Sequence, residues 1–411
     1  MQNPGVRIRR PGWLTGNLAI LTAVSLLQDA ASELLFPLLP LLLVGILAAP
    51  PVVLGVVEGL ADATAGITKY VAGRWSDSRG RKPFIGAGYG LAAVGKILVA
   101  AAIGWPMVLL GRVVDRFGKG MRSAPRDALI ASSVPPEALG RAFGFHRAGD
   151  SLGAVIGPLL GLVALAVLNG DVRAALWWAV IPATLSCLLI LFVREPQRQR
   201  VPTPAVPRSR DDGARKALPR SPLPARFWRV VVVLVLISLV NFSDALLLLR
   251  LMDLGFSTTE VIWAYALFNL VYAVAAYPAG ALTDRWPRPY IYACGLLAFC
   301  IGYIGLGLSE GGPWAIVLIA IYGLFPAFTD GVGKAWVSTL VPDEHRGRAQ
   351  GVYQALTSAA VLVAGLWAGL LWTVGPGSGV VPLLISGCAG LVAASAMIGL
   401  RLFMGRKASA S

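Results

Sequence analysis

The chain has 411 residues, 56% of them hydrophobic and only 14% charged, with a mean hydropathy of +0.70. Apolar runs recur too often for a soluble core to absorb them, which excludes a water-soluble globular domain. The net charge of +15 would suit a nucleic-acid binder, but the basic residues are distributed over alternate ends of the apolar runs and form no single patch, which excludes that class.

A hydrocarbon core needs about 20 apolar residues per helix, and on that rule twelve spans fit, centred roughly on 27, 60, 94, 114, 156, 182, 239, 268, 299, 321, 361 and 390. The expected fold is an all-α membrane protein of twelve transmembrane helices. Arg7, Arg9 and Arg10, the stretch "GRWSDSRGRK", the segment 194–229, Arg285 and Arg288, Arg346 and Arg348, and Arg401, Arg406 and Lys407 all fall at one side of the helices. The opposite loops carry little beyond Arg173 and Arg250. This bias predicts a multi-pass protein of the plasma (inner) membrane with both termini cytoplasmic. The first apolar run has no small-residue cleavage site after it, so its helix is expected to be retained. Cys187, Cys294, Cys300 and Cys388 lie within apolar helices, where each is expected to pack as a small hydrophobe without a disulfide.

Charges inside the membrane cost several kcal/mol unless they are paired or line a wet cavity. Helix 1 carries Asp29 and Glu33 on one face, helix 2 carries Glu58 and Asp62, and helix 3 carries Lys96. On helix 4, at 1.5 Å per residue from Trp105, Arg112 lies roughly 10 Å deep and Asp115 near the midplane. Arg112, Arg116 and Lys119, extended by Arg122 and Arg126, form a stripe with Asp115 set into it. Asp115, Arg116 and Lys119 are expected to face a polar cavity. Arg122, Arg126 and Asp127, beyond a break at Pro125, are assigned to a cytoplasmic gate. Helix 5 adds Arg147 and Asp150; His146 is not expected to be a ligand. The deep acids (29, 33, 58, 62, 115, 150) nearly balance the deep bases (96, 112, 116, 119, 147), so charge alone selects neither an anion nor a cation. The alternative reading, that these groups neutralise one another as structural pairs, remains open for any single residue.

From 194 to 228 the chain turns rich in Pro, Arg and Ser, a flexible basic cytoplasmic linker between a first half (1–193) and a second (229–411). Across it the sequence repeats: Gly73, Asp77 and Arg81 recur 207 positions later as Gly280, Asp284 and Arg288, and Pro135, Glu137, Gly140, Arg141, Ala142 and Gly144 recur at the same offset. The second half is poorer in charge. Its candidates are Asn241 and Asp244 on helix 7, Tyr265, Asn269 and Tyr272 on helix 8, Asp330 and Lys334 on helix 10, and Tyr353 and Gln354 on helix 11.

Two six-helix halves joined by a linker resemble the major facilitator superfamily. "GRWSDSRGRK" is similar to its loop between helices 2 and 3, with Ser78 in place of the usual Arg, and "GALTDRWPR" is a weaker copy. On helix 5, Gly144, Gly153, Gly157, Pro158 and Gly161 match the spacing of the antiporter motif of the drug:proton antiporter branch, Leu162 replacing its final Gly. The resemblance implies two pseudo-symmetric halves, a cytoplasmic gate of Gly73, Asp77, Arg81, Asp127, Asp284 and Arg288, and proton coupling. Arg112 fits the superfamily's helix 4 arginine, although Asp115 and Arg116 replace the Gln and Gly that follow it there.

The leading expectation is a proton-coupled secondary transporter that exports a small amphipathic organic molecule by alternating access, as a monomer with no cofactor. Asp29, Glu33, Asp62, Arg112, Asp115 and Asp150 are the proton-coupling candidates, with Asp29 and Arg112 as the pair. A proton carrier needs burial to favour its neutral form and a nearby arginine to favour its charged one. Glu58, Lys96, Arg116, Lys119 and Arg147, with the second-half candidates Asn241, Asp244, Tyr265, Asn269, Tyr272, Tyr353 and Gln354, would line the substrate cavity. Alternatives are efflux of a divalent metal ion held by Asp29, Glu33, Glu58 and Asp62, and proton-coupled uptake. No nucleophile triad, phosphate-binding loop or zinc motif is present, so no enzyme is expected.

Overall fold

The computed structural model describes residues 14–135, 138–194, 223–282, 286–342 and 345–408. Within them the chain is helical throughout, and each apolar run becomes a helix because a backbone in hydrocarbon must satisfy its own hydrogen bonds. The first half contains α1 (Gly16–Leu35), α2 (Pro51–Arg79), α3 (Lys82–Ala100), α4 (Trp105–Ser132) and α5 (Leu139–Val167). Its sixth span is split at Ala179 into α6 (Val172–Trp178) and α7 (Val180–Leu189). The second half begins with a span broken at mid-depth into α8 (Ala225–Ser238) and α9 (Asp244–Asp253), followed by α10 (Thr258–Leu282) and α11 (Arg288–Leu308). Another split span, α12 (Trp314–Tyr322) and α13 (Leu324–Ser338), precedes α14 (Arg346–Leu370) and α15 (Val380–Ala408). The passes number twelve, in two six-helix halves. Among the described residues, ten helices meet length and hydropathy criteria for crossing a membrane. The other two passes are α4, which carries too many charges, and the broken α8–α9.

Several boundaries differ from the sequence expectation. The linker is shorter at its second end, because α8 starts at Ala225, four residues before 229. The stretch Gly73–Lys82 is not a loop: α2 runs to Arg79, and Gly80, at φ 93°, supplies the left-handed turn that starts α3. Pro125 does not break α4, which continues through it to Ser132. A proline removes one N–H bond, and in a membrane helix packed neighbours make good that loss.

The 207-residue repeat extends into the packing. Arg81 Nη1 donates to Ser132 Oγ at 3.2 Å, and Arg288 Nη1 donates to Thr339 Oγ1 at 2.8 Å, the same pair one repeat on. Gly88 lies against Gly118 and Arg122, and Gly295 lies against Phe325 and Thr329. Gly95 meets Gly111 and Asp115 where Gly302 meets Leu318 and Tyr322. In each half, small residues thus bring the third and fourth passes into backbone contact. The helix 5 glycines act likewise: Gly149 packs on Thr22, Gly153 on Leu26 and Asp29, and Gly157 on Ala30 and Glu33, all on α1.

One arginine opposes the charge bias for a structural reason. Arg250 is buried and donates to the carbonyls of Leu306, Gly307, Ser309 and Ser378, closing the end of α11. Its neighbour Asp253 accepts from Trp372 Nε1 at 2.8 Å.

Candidate functional site

The two halves meet along α2 and α14. At the end away from the chain termini, Gly55 faces Gly365, Gly59 faces Leu362 and Gly369 faces Val52, so closely that a Cβ on any of these glycines would collide with the opposite helix. Phe36 stacks on Tyr265 across the same end, ring centroids 5.2 Å apart. On the terminus side of this seal lies a cavity of about 430 Å³, a size that suits a small organic molecule. The first half lines it with Asp62, Lys69 and Lys119, the second with Asp330, Lys334 and Gln354. Asn241, Tyr292, Phe325 and Tyr353 complete an amphipathic wall.

The charges above mid-depth are not in this cavity. Arg112 forms a bidentate pair with Glu58, Nε to Oε1 at 2.7 Å and Nη2 to Oε2 at 2.6 Å. Lys96 Nζ donates to Asp115 Oδ1 at 3.0 Å, and Arg112 Nη1 stands 3.7 Å from Asp115 Oδ2. Glu58, Lys96 and Arg112 are each 1% exposed and Asp115 is 4% exposed. Two acids and two bases thus neutralise one another between α2, α3 and α4. This corrects three expectations. Arg112 does not pair with Asp29, because Glu58 offers both carboxylate oxygens to its planar fork. Asp115 belongs to a dry structural pair and has no access to the cavity. Glu58 and Lys96 do not line the cavity, since each is turned into the helix interface to meet its partner.

One repeat on, the same positions are occupied by Tyr265, Tyr303, Ile319 and Tyr322. The ionic layer of the first half is an aromatic one in the second: Tyr303 and Tyr322 lie 5.5 Å apart, with Tyr322 also stacked on Phe268 at 5.6 Å. Tyr322 donates to Asp244 Oδ1 at 2.6 Å; Asp244 opens α9 at the broken seventh span, where Ser243 Oγ accepts from the Ala245 N–H at 3.4 Å. Asn269 is buried and donates to the carbonyl of Tyr265, so it braces α10 and is not part of the lining.

Nearer the cavity, Arg116 stands 3.6 Å from Asp62. Glu33 accepts from Tyr265 Oη at 2.5 Å, a bond from the first half to the second. Asp29, one turn from Glu33 on α1, feels the charges of Lys119, Arg122, Arg126 and Asp150. Arg122 lies over the ring of Tyr89, 4.5 Å from its centroid. Arg126 donates to Ser25 Oγ at 2.7 Å, and Ser25 lies 3.5 Å from His146 Nε2, itself 3.8 Å from Asp150. Arg147 Nη2 donates to Tyr272 Oη at 3.3 Å, and Tyr272 donates to Asp330 at 3.4 Å, a second chain between the halves. The four acids considered for a metal do not converge: Glu58 holds Arg112, Asp62 faces Arg116 and Glu33 holds Tyr265.

At the gate, Arg81 donates to the carbonyl of Ala128 at 2.9 Å and to Ser132, while Asp127 accepts from its neighbour Arg126 at 3.1 Å. The helix end, rather than the Asp127 carboxylate, receives Arg81. The side chains at 73 and 77, and residue 284, lie outside the described residues. Lys69, Ser358 and Thr329 also line the cavity and were missed. Lys69 was legible, since Glu58, Asp62, Ala65 and Lys69 form one helical stripe.

The profile of the Major Facilitator Superfamily matches residues 19–252 and 245–410. An uncharacterized MFS-type transporter of Methanocaldococcus jannaschii is 30% identical over 370 residues, covering 88% of this chain and 90% of its own. A class C tetracycline resistance protein of Escherichia coli is 27% identical, covering 74% of this chain and 79% of its own. Among solved structures, a point mutant of the nucleoside transporter NupG superposes with a TM-score of 0.76 at 14% identity, covering 93% of this chain and 99% of its own.

Proposed function

The chain belongs to the Major Facilitator Superfamily and is a multi-pass membrane transporter, and we propose that it exports a small amphipathic organic molecule in exchange for protons. The observation that carries this reading is the Glu33–Tyr265 bond, a carboxylate of one half held by a hydroxyl of the other beside the sealed end. Protonating Glu33 removes the charge that Tyr265 solvates and weakens the link between halves, so that proton binding biases the seal toward opening. Asp29, one turn away among Lys119, Arg122 and Arg126, is the second titrating candidate, and Asp62 and Asp150 complete the polar path along the first half. The bias of basic loops favours termini in the cytoplasm, and on that orientation the cavity faces inward in this state.

Export is favoured over uptake by the glycine spacing of α5, which matches the antiporter motif and packs on the helix carrying Asp29 and Glu33. One relative is named for tetracycline resistance, a property that export of a drug would confer. Gly73, Asp77, Arg81 and Asp127, with Asp284 and Arg288, serve as the cytoplasmic gate that must close when the far end opens. The test uses the reconstituted protein in liposomes containing a pH dye, with tetracycline as the first probe and a panel of organic ions after it. Probe movement should depend on an imposed pH gradient and move protons the opposite way. Glu33→Gln should abolish proton movement while retaining probe exchange at equilibrium. Protons moving in the same direction as the probe, or wild-type coupling in Glu33→Gln, would overturn the assignment.

A further inference from the structure

We infer that the transported molecule is an organic anion, its carboxylate, sulfonate or phosphonate group held between Lys119 of the first half and Lys334 of the second. The inference rests on the cavity being the transport site, and it comes from what the ion pairs leave over. Across the deep groups acids and bases nearly cancel, but the cancellation is not uniform in space. Glu58, Lys96, Arg112 and Asp115 neutralise one another in a sealed layer and contribute no net charge to the cavity.

The cavity itself is lined by three lysines, Lys69, Lys119 and Lys334, against two aspartates, Asp62 and Asp330. Asp62 is already matched by Arg116 at 3.6 Å, while Asp330 accepts from Tyr272 and stands in the field of Lys334 one turn away on α13, beyond ion-pairing distance. Lys69 reaches Gln354 Oε1 at 3.5 Å, a neutral acceptor. Among the described residues no carboxylate lies within ion-pairing distance of the Lys69, Lys119 or Lys334 ammonium, and Lys119 and Lys334 are exposed to the cavity. Asp29 and Glu33, which stand near Lys119, do not line it.

An excess of one positive charge over the lining, three lysines against two aspartates, draws an anion into a walled space, and an ammonium holding a carboxylate is among the stronger polar contacts. Phe325 and Tyr292 beside Thr329 and Ser358 offer ring faces and hydroxyls to the remainder of the molecule. With one lysine from each half on the cavity wall, an anionic group that reaches both would bridge the two bodies and tie occupancy to their relative position. The charge sign also suits export, since an inside-negative potential pushes an anion out at about 2.3 kcal/mol per charge per 100 mV.

The test is equilibrium binding to the purified full chain in detergent, with three probes of one shape: 3-phenylpropionate, 3-phenylpropanol and 3-phenylpropylamine. The acid should bind roughly tenfold or more tightly than the alcohol or the amine, the size of one lost charge-assisted contact. Lys119→Gln and Lys334→Gln should each reduce that preference, and Lys119→Arg and Lys334→Arg should keep most of it. The melting temperature of each unliganded variant controls for folding. An amine that binds as well as the acid, an acid that does not bind, or a preference that survives both glutamine variants would overturn the inference. Binding needs no gradient, so failure of proton coupling in liposomes would strike the exchange reading and leave this one standing.

Discussion

Replacing Asp115 with alanine separates a structural pair from a transport group. In the folded protein Asp115 lies 3.0 Å from Lys96 and 3.7 Å from Arg112, at 4% exposure. At an effective dielectric of about 20 each attraction is worth roughly 5 kcal/mol before desolvation is subtracted. Arg112 retains both oxygens of Glu58, but Lys96 is left with no carboxylate and no water to relax into. Breaking a buried pair in this way costs about 3–5 kcal/mol, because an uncompensated charge remains inside. Asp115→Ala should therefore lower expression and melting temperature together, and the surviving folded fraction should still transport. The double variant Lys96→Met with Asp115→Leu removes one charge of each sign and leaves Glu58–Arg112 intact. It should recover most of the lost stability, as apolar replacement of a buried pair does. The assay is thermal unfolding followed by intrinsic fluorescence, run beside transport in liposomes. A well-folded Asp115→Ala protein without transport would refute the reasoning and return Asp115 to the substrate path.

Arg250→Ala should destabilise the protein by roughly 3 kcal/mol or more, since four carbonyls around the end of α11 lose a charged donor at once, and thermal unfolding measures this. Gly365→Val should hold the far end open, because even a Cβ at 365 would lie 2.8 Å from the Gly55 carbonyl oxygen. In that variant a cysteine introduced at Asn241 should become reactive to a membrane-impermeant thiol reagent from the far side, and unchanged labelling would count against the seal. Tyr265→Phe removes the donor to Glu33 and should alter proton coupling in the same direction as Glu33→Gln, read from the pH dye, with little loss of stability.

The passes, the two halves and the repeat were legible because hydrocarbon thickness and backbone satisfaction leave few choices to an apolar chain. That Arg112 and Asp115 must be met by partners inside the helix packing was also legible, and both are buried there. Which acid meets which base was not, because helical periodicity gives the face a side chain occupies on its own helix and not the rotation of the neighbour. The sequence pairs Arg112 with Asp29, and the approach of α2 to α4, set in part by Gly120 against Ala65 and Thr68, brings Glu58 to it instead. Lys69 lies on a stripe the sequence does show, and what draws attention from it is the fall in hydropathy beyond it toward "GRWSDSRGRK", although α2 continues another ten residues to Arg79.

The repeat also explains why a count of deep charges does not give the charge of the cavity. Glycines at 88 and 95, and again at 295 and 302, bring the third and fourth passes together in both halves, so both halves possess the same buried layer to fill. A layer of that kind tolerates no net charge, and the halves reach neutrality by different means. The first uses two acids and two bases; the second uses the rings of Tyr265, Tyr303 and Tyr322 with Ile319. Charges that serve neutrality in the layer are thereby removed from the electrostatics of the cavity, although they lie at similar depth on the same helices. Lys119 sits one turn below Asp115 on α4, yet one faces solvent and the other is sealed. The field a substrate meets is set by the residues left outside those internal cancellations, three lysines and two aspartates drawn from both halves.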